Sequence, residues 1–189
     1  MNKLEKLAFK YGSHKCPQIA HSYTYFYDYL FGDKRYSIHK LLEIGVGSKK
    51  DSGWPNYIDG ASLLMWRDFF PRAQIYGIDI NKDLVFRKNR IQTFLCDQAD
   101  PVKLTKLIEN IGSDIDIVID DGSHQPQDII TSCQTLMPLL KKGITYIIEG
   151  TDRLGAGTVM DSLKNYNRRE WRRSRMRSSS DRLIVVTNV

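Results

Sequence analysis

The sequence predicts a doubly wound α/β domain: a mainly parallel sheet with helices on both faces, a helical N-terminal cap and a C-terminal antiparallel hairpin. Two observations carry this. Short, nearly continuous apolar runs recur along the chain, as strands buried on both faces require. Segments with helical spacing separate them, and strand, helix, strand in that rhythm implies right-handed parallel crossovers.

The elements follow in order. LAFKYGSHKCPQIAHSYTYFYDYLF, rich in Tyr and Phe, predicts two helices on either side of a GSHKCP loop, laid over the sheet as a cap. KLLEIGVG (Lys40 to Gly47) is the first strand and ends in glycines. ASLLMWRDFF has helical spacing, with apolar residues at 63, 64, 66, 69 and 70. IYGIDI (Ile75 to Ile80) and Ile91 to Cys96 are the next strands, each followed by acids. PVKLTKLIENIG predicts a helix stopped at Gly112, and PQDIITSCQTLMPLLKKG one stopped at Gly143. Between them IDIVIDD is a fourth strand; GITYIIEG is a fifth, and the tail from Trp171 reads as a hairpin turning at SSSD and closing with LIVVTNV.

With 189 residues, 41% hydrophobic and 26% charged, the chain suits one domain, residues 1–39 as cap and 40–189 as core. No apolar run reaches membrane-spanning length, and MNKLEKLAFKYG lacks the apolar centre of a signal peptide. Cys16, Cys96 and Cys133 are scattered without CxxC pairing, which argues for reduced thiols in a cytoplasmic setting and against a zinc site or disulfide framework. The net charge of +6 is concentrated in KNYNRREWRRSRMR (Lys164 to Arg177), with seven cations against Glu170. That stretch is either a solvated face or a docking surface for phosphate or nucleic acid, on which Trp171 would stack.

In an open parallel sheet, ligands bind beyond the carboxyl ends of the strands, where strand order reverses. Each of five consecutive strands carries a carboxylate to that edge: Glu43, then Asp79, then Asp97 and Asp100, then Asp120 and Asp121 with His124 beyond, then Glu149 and Asp152. EIGVG lets backbone approach a ligand closely, and Asp79 is placed to hydrogen-bond both ribose hydroxyls of a nucleoside cofactor. A dinucleotide enzyme would run GxGxxG straight into a helix that holds pyrophosphate. Here SKKDSGWPNYIDG intervenes, so a cofactor without pyrophosphate fits better.

EIGVG, YGIDI, CDQAD and IDIVIDDGSH together resemble class I S-adenosylmethionine-dependent methyltransferases. KYGSHK, HSYT, GASLLMWRDFFPRAQIYGIDI, DDGSH and YIIEG resemble, more narrowly, the metal-dependent sugar O-methyltransferases of macrolide biosynthesis and the related cephalosporin-hydroxylase-like group. The resemblance runs from Leu7 to Glu149. It implies a Rossmann-like methyltransferase sheet with S-adenosylmethionine as cofactor. Glu43, Gly45 and Gly47 would border its methionine and ribose, Asp79 would hold the ribose, and Asp97 and Gln98 would approach the adenine. Tyr11, Gly12, Ser13 and Lys15 would close over it from the cap. It implies magnesium on Asp121 and Glu149 and His124 as general base. Gly150 stands where a second acid is expected, which leaves Asp152 to reach in from the loop, or water to fill the place.

The chemistry agrees. Methyl transfer is an in-line displacement that needs an aligned, deprotonated acceptor oxygen. An imidazole suits that proton transfer, contributing about 10²–10⁴-fold, while hard carboxylates favour magnesium or manganese over zinc. Asp120 reads either as a cofactor contact or as a structural acid bonded to nearby backbone. His21 reads as a ligand contact or as part of the aromatic cap, His14 and His39 as surface, Cys96 as core, and Tyr23 to Tyr29 as packing from which one or two rings could line the pocket. The expected substrate is a sugar, glycan precursor or specialised metabolite. The rivals are a nucleic-acid methyltransferase using 164–177 and a non-catalytic cofactor-binding or assembly protein; a dehydrogenase is more distant. Oligomeric state stays open.

Overall fold

The computed structural model describes residues 1–172 and 182–188, apart from the side chain of Asp51. Its strands are β1 (Lys40–Ile44), β2 (Gln74–Asp79), β3 (Arg87–Lys88), β4 (Ile91–Leu95), β5 (Ile117–Asp120), β6 (Thr145–Glu149), β7 (Asn167–Arg172) and β8 (Arg182–Thr187). Among the described residues they form one sheet in the order β3-β4-β2-β1-β5-β6-β8-β7. The five central strands run parallel, and β3, β7 and β8 are antiparallel additions at the two edges. Strand order reverses at β1, between β2 and β5.

The helices are α1 (Lys3–Tyr11), α2 (Tyr23–Phe31), α3 (Lys49–Ser52), α4 (Ala61–Phe69), α5 (Pro101–Ile111), α6 (Pro126–Leu139) and α7 (Arg153–Ser162). Successive strand residues point to opposite faces, which divides the interior in two. Leu41, Ile75, Ile117, Ile119 and Ile147 pack with α1, α2 and α4. Leu42, Ile78, Val118, Tyr146 and Ile148 pack with α5, α6 and α7. The cap is joined to the first of these cores through aromatic edges: Tyr27 meets Trp66 at 4.9 Å, and Phe31 meets Phe70 at 6.0 Å.

Two boundaries differ most from the sequence expectation. Helix α6 ends at Leu139 rather than near Gly143, because the Lys141 N–H leaves the helix for the Ser113 carbonyl. The hairpin's first arm begins at Asn167, not Trp171. As the outermost strand, NRREWR needs no apolar face; only Arg168 and Glu170 turn partly inward. The expected turn at SSSD lies outside the described residues. Helix α7 was unanticipated, since its two glycines are poor helix formers. The three cysteines are free and buried. No described helix is long and apolar enough to cross a membrane.

Candidate active site

The site is built where β1 ends. Gly45 has φ +89°, and a β-carbon there would fall 2.2 Å from the Asp121 carbonyl oxygen. Only glycine lets the β1 and β5 loops touch backbone to backbone. The Gly45 N–H donates to the Ile78 carbonyl and the Asp121 N–H to that of Ile44, both at 2.9 Å. The Asp79 carboxylate accepts from the Val46 N–H, also at 2.9 Å. The ends of β1, β2 and β5 are thereby locked together.

Two adjoining cavities open at this edge and share Gly45, Gly47, Asp121 and Gly122. One, of about 410 Å³, is lined by Asp79, Asp97, Gln98 and Ser123. The other, of about 450 Å³, is lined by Ser13, His14, Lys15, His21, Tyr23, His124 and Glu149. Asp79 and His124 therefore lie at the same edge of the sheet, on either side of the Gly45 turn.

The wall of the larger cavity is strongly charged. Lys15, buried in the loop between α1 and α2, donates from Nζ to Asp121 Oδ2 at 2.7 Å and Glu149 Oε2 at 2.8 Å. Its Nζ is also 3.2 Å from Glu43 Oε1. Burial alone would lower the Lys15 pKa, but Asp121, Glu149 and Glu43 outweigh it and hold the ammonium well above its ordinary range. Glu149 is pushed up, first by burial and then by the charge of Asp121. Its other oxygen accepts from the Tyr27 hydroxyl, and Glu43 accepts from Ser62 Oγ at 2.8 Å.

Asp120 points into the sheet. It accepts from Ser132 Oγ at 2.7 Å, Tyr146 Oη at 2.9 Å and Gln98 Nε2 at 3.1 Å. Gln98 in turn accepts from the Ser123 N–H at 2.7 Å. The DDGSH loop and the Gln98 loop are tied by this buried network, in which burial raises the Asp120 carboxyl.

His124 has φ +59°, left-handed and uncommon for a residue with a side chain. Its side chain is 46% exposed, with Nε2 3.9 Å from Asp121 Oδ1. It lines the larger cavity beside that carboxylate.

Several expected contacts lie elsewhere. The Tyr11 hydroxyl donates to Asp68 and ties α1 to α4, and Gly12 closes α1; neither lines the two cavities. Glu43 and Asp120 lie behind the cavity walls, buried by the sheet. Asp152 is not brought to Asp121 and Glu149: it caps α7, accepting from the Gly155 N–H at 2.6 Å. Among the described residues, no three His, Cys, Asp or Glu side chains are arranged to hold a metal ion.

Residues of the cap also enter. His14 lines the cavity rather than the surface, and burial and the neighbouring His21 lower its pKa. Tyr23, stacked on His21 with centroids 5.0 Å apart, lines the same wall. Helical spacing marked the tyrosines of α2 as packing; which of them reach the cavity depends on how α2 docks. In the basic segment, Glu170 pairs with Arg172 and with Arg182 of β8; residues 173–177 lie outside the described residues.

No family model matches the chain. It is 40% identical over 146 residues to the 8-demethyl-8-alpha-L-rhamnosyl tetracenomycin-C 2'-O-methyltransferase of Streptomyces olivaceus, covering 77% of this chain and 37% of that protein. It is 43% identical over 129 residues to the mycinamicin VI 2''-O-methyltransferase of Micromonospora griseorubida, covering 68% of this chain and 31% of that one. Among solved structures, it superposes on the MycE methyltransferase of the mycinamycin biosynthetic pathway, in complex with Mg, SAH and mycinamycin VI. The TM-score is 0.77 at 29% identity, over 98% of this chain and 54% of that one. The chain is a homologue of these sugar O-methyltransferases. It shares their Rossmann-like methyltransferase fold and spans about a third of the length of the curated relatives it matches.

Proposed function

We propose that this chain is an S-adenosylmethionine-dependent O-methyltransferase acting on a hydroxyl of a sugar, glycan precursor or specialised metabolite. The reading rests chiefly on the pair of cavities at the β1 switch point: one suited to a nucleoside, the other carrying His124, joined across Gly45 and Asp121. When bound, the cofactor supplies an electrophilic methyl group on a sulfonium.

Gly45, Gly47, Asp79, Asp97 and Gln98 would hold the cofactor's nucleoside. Asp79 is the ribose acid in this reading, already oriented by the Val46 N–H. His124 removes the acceptor's proton at an imidazole nitrogen, and Asp121, 3.9 Å from Nε2, stabilises the imidazolium that results. The cavity's polar lining of Ser13, His14, Lys15 and Glu149 suits a sugar, the acceptor class in the relatives' names. Residues 1–39 act as a cap on the 40–189 core, the two forming one domain of a cytoplasmic enzyme.

Calorimetric titration with S-adenosylmethionine and S-adenosylhomocysteine tests the cofactor; a clear preference for NAD would reverse the reading. His124→Ala is expected to lower kcat by about 10²–10⁴-fold while cofactor affinity holds. Unchanged transfer to every sugar acceptor would remove His124 as the base.

A further inference from the structure

We propose that Lys15 supplies the fixed positive charge at the acidic wall of the reaction cavity, so that this chain works without the magnesium ion that accompanies the mycinamycin relative. The inference rests on the methyltransferase reading above.

Magnesium takes about six oxygens in near-octahedral geometry, usually one or two carboxylates plus waters. The residues present do not fit it. Both oxygens of Glu149 are engaged, by Lys15 and Tyr27. Those of Glu43 face Lys15 and Ser62. Asp121 Oδ2 is held by Lys15, and Oδ1 faces His124 Nε2 at 3.9 Å. Position 150 offers no ligand, and the Asp152 carboxylate is committed to the start of α7.

An ammonium has three donors, and here three carboxylates surround it. Lys15 is not free to withdraw for an incoming ion. Its side chain is 3% exposed, and its loop is pinned by the Thr24 N–H on the Lys15 carbonyl at 3.1 Å and the His21 N–H on that of His14 at 2.8 Å. A divalent ion in contact with the same oxygens would stand beside a buried like charge. Lys15 is thus a positioning residue: it holds Asp121, and Asp121 faces the imidazole.

The test begins with the native chain stripped by EDTA. Titration with Mn²⁺, followed by electron paramagnetic resonance, is expected to show no saturable site at concentrations up to about a millimolar, the weak end of protein divalent sites. Methyl transfer to a sugar acceptor is expected to change by less than about twofold with EDTA or added magnesium, against the far larger loss expected where a metal ion activates the nucleophile. Lys15→Met, which leaves the carboxylates unpaired, is expected to gain a saturable Mn²⁺ site and to lose metal-free transfer, with magnesium restoring part of it. One Mn²⁺ per native chain, released by Asp121→Asn, would overturn the inference. So would native transfer abolished by EDTA and restored by magnesium, or undiminished metal-free transfer by Lys15→Met. The Mn²⁺ titration of the native chain decides the matter even where Lys15→Met does not fold. Failure of S-adenosylmethionine to bind would remove the methyltransferase reading, whereas the Mn²⁺ site concerns only Lys15.

Discussion

The imidazole of His124 lies against Gly150 so closely that a β-carbon built at position 150 would stand 2.3 Å from Nδ1 and 2.4 Å from Cε1. Gly150 also has φ +72°. The absence of a side chain at the end of β6 is therefore part of how the imidazole is seated.

Gly150→Ala is expected to swing His124, which is 46% exposed and free to move outward, away from its place over the cavity. The left-handed backbone adds a stability cost of about 1–2 kcal/mol. Activity is expected to fall by about ten- to a thousandfold, within the range of a displaced general base, with cofactor affinity nearly unchanged. Combining Gly150→Ala with His124→Ala discriminates the cause: if the loss runs through the imidazole, the double variant is no slower than His124→Ala alone.

Asp79 joins the β1 turn to the end of β2, accepting from the N–H groups of Val46 and Asn81, each at 2.9 Å. Asp79→Asn keeps one carbonyl acceptor for these bonds but loses the charge and an acceptor offered to ribose hydroxyls. Calorimetry is expected to show S-adenosylmethionine binding weakened by about tenfold, or about 1.4 kcal/mol, in a chain that still unfolds cooperatively after losing one of the two N–H bonds. Unchanged affinity would remove Asp79 from the cofactor site.

How much of this was legible in the sequence divides along physical lines. The parallel strands were, because burial on both faces demands unbroken apolar runs such as IDIVIDD. Strand β7 was partly hidden, because an edge strand tolerates NRREWR, and α7 was hidden by its glycines. The strand-end acids were legible as a group, since topology sends every carboxyl end to one edge. Their division into cavity lining and buried scaffold was not. Glu43 and Asp120 turn into the interior because Ser62, Ser132 and Tyr146 await them there. The Lys15 cluster joins residues 106 and 134 positions apart, beyond the reach of any local pattern. Asp152, read from the sequence as a loop acid able to reach the metal site, instead caps α7, a role hidden along with the helix it starts.

Arg90 holds the end of α4 and carries its own strain. Its guanidinium donates to the carbonyls of Arg67 at 2.8 Å, Phe70 at 3.0 Å and Ala73 at 2.7 Å, while its φ is +56°. Arg90→Ala keeps the strained backbone and frees three carbonyls, so a loss of about 2–4 kcal/mol is expected in denaturant unfolding. Arg90→Gly relieves the backbone by about 1 kcal/mol and is expected to be the milder change. Equal losses would mean that the left-handed conformation costs little here.

Asp116 fixes the opposite end of the sheet from the site. It accepts from the His39 N–H at 2.6 Å, the Lys40 N–H at 3.0 Å and Lys141 Nζ at 2.5 Å. Burial works to raise its pKa, but the hydrogen bonds from Lys141, His39 and Lys40 outweigh it and hold the carboxyl below its ordinary value. A depressed folded-state pKa contributes stability that is fully present above the unfolded value, about 3.9, and is lost as pH falls through the lower folded value. Asp116→Ala is therefore expected to cost about 1.5–3 kcal/mol at neutral pH, the range for hydrogen bonds to a charged group. That difference from the native chain should shrink steadily as unfolding is measured at pH values below about 4. A difference that stays constant into acid would mean that Asp116 acts through its uncharged contacts alone. Because the carboxylate joins the start of β1 to the loop before β6, far from Asp79 and His124, cofactor affinity at neutral pH is expected to survive the substitution.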